Sequence, residues 1–386
     1  MQIGIDASNI RAGGGVTHLR ELLAAAEPAV FGIVRVIVWG GKETLALLPD
    51  RAWLEKSHEK MLDSGIISRL AWQRYKLPRL ARKMCDLLLV PGGNFHGEFR
   101  PFVVMSQNLL PFSPRERRRY GIAWKRFRLF LLFKGQSATF RCAEGVIFLT
   151  ATAQKCVEAA IGKLSSMVAI IPHGIGEMFR QEPRAQLSID NFSNERPFRW
   201  LYVSVIELYK HQSHVAEAIA TLRNEGMPVT LTLVGPAYPQ ALKYLERTLL
   251  KIDPACEFVQ YLGPAQYDQL AQHYREADGF VFASSCENMP IILLEAMAAG
   301  LPIACSSVPP MPEVLGKAGV YFNPENSSEI AAALRSLMRD SKKREIFASQ
   351  SYGRARDFTW QRCACDTFSF LSSVALHSRC AGGKNQ

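Results

Sequence analysis

The chain has 386 residues, 48% of them hydrophobic and 21% charged, and a formal net charge of +11. That length exceeds one ordinary core and predicts two domains, while the composition excludes a collagen-like or wholly disordered chain. The positive excess points to an anionic partner, whether nucleic acid, lipid head groups or a phosphorylated small molecule, and does not choose among them.

The first residues, "MQIGIDASNIRAGGG", read as a strand running into a Gly-rich turn, with no basic leader and apolar signal core. Gly13, Gly14 and Gly15 open the next helix, where glycine lets backbone approach a phosphate or sugar closely. The spacing is not G-x-G-x-x-G, and no acidic residue closes the following strand, "IVRVIVWG", so a nicotinamide dinucleotide site is disfavoured. The runs "DLLLVPGG", "FVVMSQ", "GVIFLT" and "MVAIIPHG" complete six β-like segments in this half. His96 and His173 follow strand ends and could donate a hydrogen bond or act as a base, although a lone histidine is more often structural. Neither has a second ligand at helical spacing, so no metal is expected, and nine scattered cysteines without a C-x-x-C pair read as reduced thiols.

From Pro114 to Lys134, "PRERRRYGIAWKRFRLFLLFK" interleaves Arg115, Arg117, Arg118, Arg119, Lys125, Arg126, Arg128 and Lys134 with aromatic and aliphatic residues. This predicts one basic amphipathic helix, which is either a solvated face or a dock for anionic lipid. No apolar run reaches the length of a membrane span. The expectation is a cytoplasmic chain, peripheral at most on the inner face of the plasma membrane.

Residues 176–198, "GEMFRQEPRAQLSIDNFSNERPF", are polar and aperiodic and read as a linker. Beyond it come "WLYVSVI", "VTLTLVG", "FVQYLG", "GFVFAS", "PIACSS" and "GVYFNP", then helical stretches, the last from Thr359. Strands alternating with helices predict parallel α/β units, here two doubly wound domains over 1–175 and 199–358, with 359–386 as a terminal helical segment. In such sheets ligands bind beyond the carboxyl ends of the strands, and the expected site is the cleft between the domains.

Two stretches of the second half could carry chemistry. In "YVSVIELYKHQSHVAEAI", Lys210 follows a strand end and could present its charge to a phosphate, although a lone lysine is more often solvated. In "CENMPIILLEAMAAG", Pro290 opens a helix that Gly300 closes, placing Glu287 in the preceding loop and Glu295 about one and a half turns in. The early amides, such as those of Ile291 and Ile292, have no intrahelical acceptor and make a natural phosphate site. Glu295 could hold two ribose hydroxyls and Glu287 a second ring. Spacing alone does not choose between this and the plainer alternative, that Glu295 caps a loop and Glu287 is N-terminal helix charge. A carboxylate so deep in an apolar run is costly unless met by a polar group, and the expectation is that a ligand rather than protein meets it.

Together, "ADGFVFASSCENMPIILLEAMAAGLPIACSSVPPMPEV", the Gly-rich first turn, "IIPHGI", the Lys210 segment, "LTLVGP" and "FVQYLG" resemble the family 4 retaining glycosyltransferases, over nearly the whole chain. The resemblance implies the GT-B fold, two Rossmann-like domains facing a cleft, with an acceptor domain first, a donor domain second and a final helix that crosses back. It implies an E-x7-E pair in which Glu295 binds the nucleotide ribose and Glu287 the transferred sugar. Amides after Asn288, including those of Met289, Ile291 and Ile292, would contact sugar and phosphate, Lys210 would neutralise the diphosphate, and Gly14 and Gly15 would line the cleft. Two positions depart from the family pattern. Its arginine five residues before the lysine is Val205, and its His-Asp is Gln107-Asn108, which leaves His96 or His173 as substitutes.

The implied activity is metal-independent, retaining transfer from a nucleotide sugar to a glycan or polyprenyl-linked acceptor, without a separate cofactor. "VSVIELYKHQSHVAEA" is similar to members acting on bacterial surface polysaccharides, some transferring mannose, which suggests GDP-mannose. The competing readings are an inactive nucleotide-sugar-binding relative and a basic protein of membranes or nucleic acid, although no nucleic acid is expected beside a donor site.

Overall fold

Short apolar runs separated by helices leave no room for hairpins, and every strand pair is parallel. The computed structural model describes residues 1–11 and 13–382 and divides into two units, Met1–Gly174 with Thr359–Gln386, and Ile175–Phe358.

The first unit holds β1 (Gln2–Asp6), β2 (Arg35–Gly40), β3 (Leu54–His58), β4 (Leu87–Val90), β5 (Phe102–Met105), β6 (Gly145–Phe148) and β7 (Met167–Ile170), in the order β3-β2-β1-β4-β5-β6-β7. β4, β5 and β6 are buried throughout, as unbroken apolar strands covered on both faces must be. The sequence reading missed β3. "LEKSH" pairs only with β2, is half-buried, and carries Glu55, which accepts from Arg35 Nε at 2.9 Å. An edge strand with charged residues has no apolar period to read.

The second unit holds β8 (Phe198–Val203), β9 (Val229–Val234), β10 (Val259–Tyr261), β11 (Gly279–Phe282), β12 (Ile303–Ser306) and β13 (Val320–Phe322), in the order β10-β9-β8-β11-β12-β13. Residues 176–198, expected as a linker, count with this unit, and Phe198 already opens β8. The Gln181 amide donates to the Ala298 carbonyl at 2.9 Å, and Phe179 packs edge-on against Tyr274. Gly300 is left-handed at φ 63°, and a Cβ there would lie 2.7 Å from the Pro183 nitrogen, so glycine both ends the helix and admits this stretch.

Arg344 secures the same stretch from beneath. Fully buried, it donates to the carbonyls of Leu337 (2.6 Å) and Met338 (2.5 Å), to Gln186 Oε1 (3.1 Å) and to the Leu187 carbonyl. The planar guanidinium supplies a donor in each direction, which makes its burial tolerable.

The final helix, Trp360–Gly382, groups with the first unit, where Ser372 Oγ donates to the Phe31 carbonyl at 3.1 Å and Arg379 pairs with Asp86 at 2.6 Å. The last four residues of the expected 359–386 segment lie outside the described residues. The single basic helix expected over Pro114–Lys134 is instead two, Pro114–Arg118 and Trp124–Cys142, because Gly121 turns left-handed (φ 56°) between them. No helix among the described residues is long and apolar enough to cross a membrane.

Replacing Arg344 by Ala should lower stability by about 3 kcal/mol or more, since it strands several buried acceptors. Lysine, with one compact ammonium, should restore only part of the loss in urea unfolding; full recovery by lysine would refute the forked arrangement.

Candidate functional site

In the second unit the chain builds outward from β8 to β10 and then returns to lay β11 on the other side of β8. The loops leaving the carboxyl ends of these neighbours diverge, and a crevice opens where the order reverses. Lys210 leaves from one of them and Glu287 from the other.

After β8 comes a 3₁₀ turn, Leu208–Lys210, whose first amide donates to the Glu207 carboxylate at 3.3 Å. His211 then turns left-handed (φ 51°) into the helix Gln212–Asn224. The Lys210 carbonyl accepts from the Tyr202 hydroxyl at 2.6 Å, which fixes the backbone, and Nζ bonds Glu287 Oε1. The two side chains are only 6% and 13% exposed. Nζ also lies 5.1 Å from the Phe282 ring centroid and 5.3 Å from that of Tyr209. Aromatic faces and one carboxylate thus replace the water this ammonium has lost.

The loop after β11 is stitched to the same turn. Ser285 donates to the Tyr209 carbonyl from its amide (2.8 Å) and its hydroxyl (3.2 Å), and that hydroxyl lies 3.0 Å from His211 Nε2. Asn288 and Met289 are buried and lead through Pro290 into the helix Ile291–Ala298. No side chain caps this helix. Leu293 and Leu294 donate to the Pro290 carbonyl, and the half-buried Ile291 and Ile292 precede them with no intrahelical carbonyl to reach.

Glu295 is 4% exposed and its carboxyl is pushed up to about 7, because burial disfavours the charged form. The expectation that only a ligand meets this group is corrected. The Tyr274 hydroxyl, on the helix Tyr267–Glu276, lies 3.0 Å from Glu295 Oε2 and also donates to the Ile292 carbonyl at 3.2 Å. The carboxyl group is therefore met by protein. Its partner lies 21 residues upstream on another helix, where no local pattern could reveal it.

The first unit carries the other predicted residues. Gly14 and Gly15 open the helix Gly14–Ala25 behind Gly13 at φ 69°. A Cβ on Gly15 would lie 3.2 Å from Gln107 Oε1, so Gln107 is beside the Gly turn. His173 is buried with its Nδ1 2.7 Å from His18 Nδ1. Burial and the neighbouring imidazole hold His173 well below its ordinary value, while burial takes His18 to about 4. Sequence reading did not find this partner. His96 is elsewhere, exposed beside Gly135, and partial desolvation lowers it too. Among the described residues no group of three or more His, Cys, Asp or Glu side chains could hold a metal ion.

Two parallel sheets of this kind are found in GT-B glycosyltransferases. Sucrose-phosphate synthase from Thermosynechococcus elongatus superposes with a TM-score of 0.75 at 17% identity, over 97% of this chain and 99% of that one. HepE from Anabaena, in complex with UDP, gives a TM-score of 0.69 at 18% identity, over 96% and 99%. These likenesses establish the GT-B fold.

Within the second unit, residues 184–354 match the family model of glycosyl transferases group 1. The O-antigen chain mannosyltransferase B of Escherichia coli is 33% identical over 112 residues. That match spans 29% of this chain and 29% of the relative.

Glu295 generates a pH prediction. Folded, it keeps its proton until about 7, whereas unfolded it releases it near 4.5. Between those values the folded state binds more protons, so stability falls as pH rises, by about 3 kcal/mol across the window. Urea unfolding of Glu295→Gln against the parent should show this slope removed; identical slopes would mean that the carboxyl is not buried.

Proposed function

We propose that this chain is a retaining, metal-independent glycosyltransferase. It moves mannose from GDP-mannose to a glycan or polyprenyl-linked acceptor of a bacterial surface polysaccharide, at the cytoplasmic face of the membrane. The observation that carries the reading is the buried Lys210–Glu287 pair beside the uncapped start of the helix Ile291–Ala298. A cation and first-turn amides in one crevice suit a diphosphate, and Glu295 in the same helix suits ribose hydroxyls.

On this reading the incoming diphosphate takes over Lys210 from Glu287. That exchange frees Glu287 to accept hydrogen bonds from the transferred sugar, next to the amides of Asn288 and Met289. The bond from the anomeric carbon to the diphosphate oxygen breaks with its electron pair leaving on that oxygen, through an oxocarbenium-like state. Lys210 and the amides of Ile291 and Ile292 stabilise the departing charge electrostatically. The acceptor hydroxyl bonds the anomeric carbon from the same face, and its proton passes to the departing phosphate oxygen. In the first unit, Gly14 and Gly15 offer backbone to the acceptor side. His173, held against His18, keeps that region in place rather than moving a proton.

Mannose is supported by the printed activity of the Escherichia coli relative, aligned over 112 residues. A uridine nucleotide is the second reading, because HepE is described in complex with UDP-glucose.

Lys210→Ala and Glu295→Ala should each lower transfer about 100- to 1,000-fold while unfolding stays cooperative, and EDTA should leave the parent rate unchanged. Normal turnover by either variant would sink the assignment. A melting-temperature screen with GDP-, UDP-, ADP- and dTDP-sugars identifies the donor, since ligand at about 100 times its Kd adds about 2.7 kcal/mol. Binding without turnover of any donor would instead identify an inactive relative.

A further inference from the structure

The basic segment of the first unit surrounds a cavity of its own. The helices Pro114–Arg118 and Trp124–Cys142, with the turn between them, surround about 480 Å³. Its lining sets Arg117, Arg118 and Arg126 against Ile122, Phe127 and Phe130, and includes no carboxylate. The Arg117 guanidinium lies 5.2 Å from the Phe133 ring centroid, and its Nε is buried without a hydrogen-bond partner. Arg126 donates to the Gly121 carbonyl at 3.3 Å. Burial and the neighbouring Arg126 and Arg118 all disfavour the charge on Arg117. Glu116 is the sole acidic residue from Pro114 to Cys142, and it already accepts from Arg119 Nε at 2.6 Å. Three arginines therefore line a space to which the segment brings no unpaired anion.

The rim is apolar. Ile122 is fully exposed, Trp124 is 72% exposed, and Phe127, Phe130 and Leu131 are each about half exposed. Positions 124, 127 and 131 share one helical face, so this is a stripe rather than scattered residues. The most exposed point, Ile122, is aliphatic and offers hydrocarbon rather than a ring on which a base could stack, and a free phosphate would leave the whole stripe wet. An amphiphilic anion satisfies both halves, its phosphate forked by arginine and its chain against the apolar wall.

We propose that this cavity binds the phosphate of an anionic phospholipid in a bilayer, with Ile122, Trp124 and Phe127 entering the acyl layer beside it. The proposal deepens the reading that the acceptor is lipid-linked, because it would hold the chain at the surface where such an acceptor resides. It does not require transfer to occur.

The test is co-sedimentation of the full chain with phosphatidylcholine vesicles and with equimolar phosphatidylcholine–phosphatidylglycerol vesicles, at low and raised salt. The parent should bind only the anionic vesicles. Arg117→Gln/Arg118→Gln/Arg126→Gln should weaken that partition about 100-fold and flatten its salt dependence. Ile122→Ser/Phe127→Ser should weaken it about tenfold and leave the salt dependence in place. Unchanged partition of the triple variant, or equal binding to both vesicles, would overturn the proposal. So would release of the chain from vesicles by inorganic phosphate at matched phosphorus, or by an oligonucleotide; these would assign the cavity to free phosphate or to nucleic acid. Melting curves are taken on the same samples with and without nucleotide sugar. Lost lipid binding with an intact nucleotide shift fails this site alone, and a lost shift with intact lipid binding fails the donor reading alone.

Discussion

The position of β8 beside β11 is the constraint on which the second unit depends. A parallel pair cannot be closed by a short turn, so each strand is followed by a helix that returns the chain to the starting edge of the sheet. The chain runs this crossover outward through β9 and β10 and then comes back to the far side of β8. Two neighbouring strands consequently send their next loops in opposite directions. Lys210 and Glu287, 77 residues apart in sequence, meet there because of that reversal.

Charge burial follows from the same geometry. The second unit buries an ammonium and two carboxyl groups where water is scarce, and each is accommodated differently. Lys210 has Glu287 and two aromatic faces. Glu295 has the Tyr274 hydroxyl and a carboxyl that retains its proton more readily than a solvated one. Groups maintained at such cost suit a ligand that alternates with them for the same partners, as a diphosphate and a ribose would.

The first unit treats charge in the opposite way. Its basic segment gathers guanidinium groups around a space with no internal anion and rims that space with exposed apolar residues. Donor chemistry in one unit and surface attachment in the other would give the chain two separable anion sites, consistent with its net charge of +11.

The α/β rhythm, twelve of the thirteen strands among the described residues, and the loop or helix setting of Lys210, Glu287 and Glu295 were legible in the sequence, because local periodicity and turn residues encode them. β3 was not, since an edge strand of charged residues carries no apolar signal. Nor was the break at Gly121, where one glycine in a left-handed turn outweighed a continuous basic and aromatic pattern. Tertiary structure alone decided that Tyr274 meets Glu295, that His18 meets His173, and that Arg344 holds residues 186–187. The physical reason is common to all three. Side-chain pairing across distant segments depends on strand order and helix packing, which no run of neighbouring residues contains.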